Sequence, residues 1–134
     1  MVKIKSGLNF SKQKAYQIRT TIHDEALAVS GEKVVTTLAM DDIKEQIIET
    51  FESIVKWIDQ KGGIIGHLKG FVLENGTGFM ISTTGTAVNI IEQPDSIFED
   101  KGIKISLVLI VFGMGQSDLE DKLIELFDQL TKME

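Results

Sequence analysis

The chain has 134 residues, no cysteine, one proline and a formal net charge of −6. That length is one domain's worth, 1–134, and buries roughly two thirds of the surface an unfolded chain would expose, so neither metal nor disulfide is required to hold it together. The lack of cysteine excludes disulfides, thiolate chemistry and Cys-based zinc or iron–sulfur centres, and it suits a reducing compartment.

The first residues, MVKIKSGLNF, contain no apolar stretch of suitable length and no small-residue cleavage site, so they do not read as a signal peptide. No apolar run approaches the roughly 18 residues of a membrane span. The expectation is a cytoplasmic, acidic protein without a membrane partner. Its charge is unevenly spread: Lys3, Lys5, Lys12, Lys14 and Arg19 precede every acid in the chain. A basic arm can bind phosphates, but the acidic body that follows offers it a partner within the molecule or on a neighbouring subunit, and repels nucleic acid. Arg19 is the sole arginine. Arginine is the side chain that grips phosphate bidentately, so no nucleic-acid face is expected.

In chain order, residues 11–40 fit two patterns. Ala15, Ile18, Ile22, Ala26 and Val29 suit a helix capped by Ser11 and ended by Gly31. Tyr16, Ile18, Thr20 and Ile22 equally suit an alternating strand, followed by strands over Ala26–Val29 and Val34–Leu38. The paired β-branched residues Thr20-Thr21-Ile22 and Val34-Val35-Thr36-Thr37 favour strands. Asp41 or Asp42 then caps a helix, with Glu45 placed to complete a capping box. Ile43, Ile47, Ile48, Phe51, Ile54, Val55 and Ile58 form its apolar stripe, and Lys61 with Gly62-Gly63 ends it. Strands are predicted over Ile64–Leu73, Phe79–Thr83, Thr86–Ile91 and Ile103–Phe112. Asn75-Gly76 marks the first hairpin, and Thr84-Gly85 a weaker break. Pro94–Gly102 reads as a surface loop. The last strand, apolar on both faces after Ser106, belongs in the middle of the sheet. A final helix runs over Ser117–Lys132, with Ser117 and Glu120 as a capping box and Leu119, Leu123, Leu126, Phe127, Leu130 and Met133 as a narrow stripe.

One narrow stripe per helix means that each packs a single face onto something flat. The predicted class is α+β: a mainly antiparallel β-sheet of five to eight strands, with two amphipathic helices packed on one face. Such an architecture says nothing of chemistry by itself.

Residues 62–93 carry only three formal charges, Lys69, Glu74 and Glu92. Alternation puts His67, Lys69, Phe71 and Leu73 on one face and Leu68, Gly70 and Val72 on the other. With Ser82, Thr83 and Thr84 across the hairpin, His67 and Lys69 are candidate ligands for a small anion: ammonium for charge, hydroxyls for directed donors, imidazole for a proton. Gly66 and Gly70 would leave room for a ligand. A lysine, a histidine and hydroxyls on a wet strand face are also ordinary, and no acid is placed to orient His67. Three further patterns are weaker. Gly113-Met114-Gly115 enters a helix as a phosphate loop would, but Asp118 stands where the dinucleotide pattern needs its third glycine, and the first turn is acidic. His23-Asp24-Glu25 reads as a surface turn rather than a metal site. No catalytic triad order, His-x-x-x-His or P-loop occurs.

A sheet face so poor in charge needs a cover, either the N-terminal forty residues or another subunit. Trp57, Phe71, Leu73, Phe79 and Ile81 are the expected interface residues. The favoured function is a non-enzymatic, self-associating domain (a homo-oligomer) that binds a protein partner or small ligand, with no cofactor or metal. The alternative is an enzyme or anion-binding domain using Lys69, His67 and the Ser82–Thr84 hydroxyls.

Overall fold

A computed structural model describes residues 12–36, 39–75, 77–93 and 102–131. They form one antiparallel sheet: β1 (Arg19–His23), β2 (Ala26–Val35), β3 (Ile64–Glu74), β4 (Thr77–Thr83), β5 (Asn89–Gln93) and β6 (Ile103–Phe112). Its spatial order is β1-β2-β6-β3-β4-β5. Helix α1 (Met40–Gln60) joins β2 to β3, and helix α2 (Gln116–Thr131) follows β6. The class is the expected α+β, mainly antiparallel sheet. Ser11, Thr37, Leu38, Gly76, most of the Pro94–Gly102 loop, Lys132 and Met133 lie outside the described residues.

Residues 19–35 are strands rather than helix, but two strands and not the expected three: β1 starts at Arg19 rather than Tyr16, Ala26–Val29 and Val34-Val35 belong to one unbroken β2, and the two strands join at Asp24-Glu25, where Asp24 adopts φ 55°. Only residues 12–15 are helical there. Strand β6 does lie centrally, between β2 and β3. Its alternation divides the protein. Ile103, Ile105, Leu107, Leu109 and Val111 are all at most 1% exposed and face the helices. The other β6 side chains, from Lys104 to Phe112, face away.

Both helix stripes meet that inner face. In α1, Ile43, Ile47, Phe51, Ile54 and Ile58 are fully buried. Its cap differs from expectation: Ala39 precedes the helix without a side-chain cap, and Asp41 and Asp42 lie inside the first turn, where their charges still oppose the helix dipole. The C-terminus ends as Gly62-Gly63 implied. Gly62, at φ 77°, donates to Asp59 and Gly63 donates to Ile58, the paired bonds of a Schellman motif. Helix α2 starts one residue early, at Gln116, so Ser117 sits within its first turn. Its buried face is wider than the predicted stripe, since Ile124 and Glu120 are also covered.

Gly70 serves packing rather than a ligand. It lies on the helix side of β3, where an added Cβ would come within 2.9 Å of Ile81, 3.1 Å of Phe51 and 3.2 Å of Leu107. The missing side chain is the space that the Phe51 ring fills. Gly70→Ala is therefore expected to destabilise the fold by about 1–3 kcal/mol in urea unfolding; an unchanged midpoint would mean that α1 is not seated on β3 in this way.

Candidate functional site

The face of the sheet turned away from α1 and α2 is covered by no described helix or strand. Cross-strand register fixes its contents. Lys69 pairs with Val108 on one side and Ser82 on the other. Val108 pairs with Ser30, Ser30 with Arg19, and Ser82 with Asn89. One continuous row therefore crosses all six strands: Arg19, Ser30, Val108, Lys69, Ser82, Asn89. The next row contains Glu32, Ser106, Phe71, Met80 and Ile91.

His67 reaches this face through a bulge. The β3–β6 register slips between Ile65 and His67, so Gly66 is the extra residue. Ile65 therefore points to the helices although its number has the same parity as His67. Gly66 leaves no vacancy either, because an added Cβ would lie 3.1 Å from the Phe112 ring and 3.2 Å from the Ile110 carbonyl.

The predicted ligand set is only partly assembled. His67, Lys69 and Ser82 share the open face. Thr83 points the other way, is 1% exposed, and its hydroxyl accepts the Gly85 N–H at 3.0 Å. Thr84 is exposed beyond the end of β4. Among the described residues, His67, Lys69 and Arg19 have no side-chain hydrogen bond or ion pair. Glu32, the one carboxylate on the described strands of this face, is held by Lys104 at 3.3 Å. Among the described residues, the strands of the open face thus carry Arg19, Lys69 and Lys104 against Glu32, more cation than acid on a protein of net charge −6.

The predicted interface set also divides. Phe71 and Leu73 are half-buried on the open face beside Met80, Val108 and Ile110. Phe79 and Ile81 lie beneath α1, at 2% and 0% exposure, and take no part in it. Trp57 belongs to the helix layer, where the Lys122 ammonium lies 5.1 Å from its ring centroid. Four large apolar side chains exposed around the open face, Val34, Ile64, Ile91 and Phe112, were not singled out from sequence. The period-two pattern locates them once the bulge and the register are known. At the middle, Arg19, Ser30, Glu32, Phe71, Ser106 and Val108 line a shallow depression of about 320 Å³.

Two weaker candidates are structural in form. Met114, within Gly113–Gly115, packs against Gly63 at the end of α1. His23 and Asp24, 3.7 Å apart, stand almost fully exposed at the β1–β2 turn.

The polar cluster that sequence reasoning missed lies on the helix side. Tyr16 Oη donates to Asp128 Oδ1 at 2.6 Å, and Lys12 Nζ donates to Oδ2 at 2.7 Å. The Tyr16 ring stacks on Phe127 with centroids 5.1 Å apart. Glu120 accepts from Thr20 Oγ1 at 2.5 Å, Gln116 Nε2 at 2.9 Å and Gln13 Nε2 at 3.2 Å. These contacts clamp residues 12–20 to α2, and Lys12 of the basic arm finds its acid within the molecule. Tyr16→Phe is expected to cost about 1–2 kcal/mol of stability and to leave any self-association unchanged, measured by urea unfolding alongside light scattering. Comparison with family profiles, curated proteins and solved structures finds no match to this chain.

Proposed function

We propose that this is a non-enzymatic binding domain of the reducing cytoplasm whose working surface is the open face of the sheet, and that two copies associate through it. The observation that carries this is the apolar band of Phe71, Leu73, Met80, Val108 and Ile110, rimmed by exposed Val34, Ile64, Ile91 and Phe112 and left without cover by any described element. A band of this kind is more than an isolated monomer usually leaves to water.

The dimensions suit a second copy. The three central strands have ten or eleven residues and the edge strands five. With the seven residues of β4 included, at about 4.8 Å between strands and about 3.4 Å per residue, the face spans on the order of 800 Å². A standard interface buries about 800 Å² per partner. Two sheets stacked roughly 10 Å apart would interleave the apolar side chains of both.

Light scattering of the purified protein is expected to give a dimer at micromolar concentration. Ile91→Glu on the rim and Phe71→Glu at the centre are each expected to weaken it by about 100-fold or more. Trp57→Phe, in the helix layer, should leave it intact. A wild-type protein that stays monomeric at high concentration in phosphate and acetate as well as in chloride removes the proposal.

A second reading is anion binding at Lys69 with Ser82 and His67, favoured by the absence of any partner for Lys69 and His67 among the described residues. Lys69→Ala is expected to weaken phosphate binding in calorimetry by about tenfold or more while changing stability by less than about 0.5 kcal/mol. A variant that binds phosphate as the wild type does would return Lys69 to an ordinary surface role.

A further inference from the structure

The open face poses a charge problem for the self-association proposed above, on which the following inference rests. Two such faces brought together confront like with like. Lys104 is balanced by Glu32 on the same face. Arg19 and Lys69 have no counterpart among the described residues. Closing one copy over another would take these two cations, from each side, out of water without an acid to meet them, which opposes association.

The same row holds the means to bind a counter-ion. Between and beyond the two cations lie Ser30, Ser82 and Asn89, side chains that can donate hydrogen bonds. Ser30 is next to Arg19, and Ser82 is next to Lys69. Arg19 and Lys69 stand three strands apart, roughly 14 Å between backbones, with Val108 and the shallow depression between them. Each cation with its neighbouring hydroxyl is the arrangement that holds an oxyanion, a guanidinium or ammonium supplying charge and a hydroxyl supplying direction.

We infer that a small oxyanion, phosphate or carboxylate, binds at the Arg19–Ser30 and Lys69–Ser82 positions and licenses dimerisation, so that the anion is a constituent of the closed interface. The ligand then controls the oligomeric state. The anion binds the dimer, where two copies surround it, more tightly than the open monomer, and association is linked to its concentration by mass action.

Sedimentation equilibrium of the full chain tests this in sodium phosphate, sodium acetate and sodium chloride at matched ionic strength. Matching the ionic strength separates a bound anion from general screening. Phosphate or acetate is expected to lower the dimer dissociation constant by about tenfold or more relative to chloride; whichever acts names the anion class. The double variant Arg19→Gln, Lys69→Gln, with an unchanged thermal midpoint, is expected to dimerise in chloride as well as in phosphate. Equal dimerisation of the wild type in all three salts, or a phosphate response that survives in the double variant, overturns the anion's role while the dimer stands. Monomers in every salt, for both proteins, overturn the self-association itself.

Discussion

Everything distinctive about this fold follows from the burial of alternate side chains on β6. Ile103, Ile105, Leu107, Leu109 and Val111 have lost contact with water against α1 and α2. Because β6 pairs on both sides, its parity is imposed on β2 and β3 through the hydrogen-bonded ladders, and from them on β1, β4 and β5. A slip by a single residue would bring that aliphatic row into water and carry Lys104 and Ser106 under the helices. The position of Lys69 beside Ser82, and of Arg19 beside Ser30, is thus set by aliphatic packing on the opposite side of the sheet.

The two layers also differ in sign. The outer face of α1 carries Asp41, Asp42, Glu45, Glu49, Glu52 and Asp59 against Lys44 and Lys56. Among the described residues, then, the outer face of α1 carries more acid than base, and the strands of the open face more base than acid. A surface with more cation than acid attracts anions over a longer range than hydrogen bonds reach, which is the physical basis for the anion site proposed there.

Much of this was legible in the chain. The stripe from Ile43 to Ile58, the Gly62-Gly63 stop, the Asn75-Gly76 turn and the apolar run of β6 specify their elements locally, through periodicity and turn chemistry. The faces of Phe71 and Leu73 against Val72 also followed from alternation. What could not be read depends on long-range pairing. Sequence alone leaves the β3–β4 register open and so allows Phe79 and Ile81 on the open face; with Lys69 opposite Ser82, they fall under α1. Thr83 turned inward for the same reason. The Gly66 bulge resets the parity of β3, and no local pattern marks it more strongly than an ordinary strand glycine. The fifth strand begins at Asn89 rather than Thr86, since Thr-Gly-Thr-Ala carries strand and loop propensity in equal measure. The clamps from Tyr16 to Asp128 and from Thr20 to Glu120 join residues 112 and 100 positions apart, and no local signal encodes such a meeting.

Of the described strands, the latest in the chain, β6, occupies the middle of the sheet. Until β6 emerges, the β1–β2 hairpin and the β3–β4–β5 meander share no edge, and α1 has only part of the surface it is shaped to cover. The nascent chain must therefore wait, with hairpin and meander each exposing an unpaired strand edge, for a keystone that arrives just ahead of α2. Folding of this kind is non-local and slow to nucleate, and its window of danger is the interval during translation when those edges are still free to find the wrong neighbour.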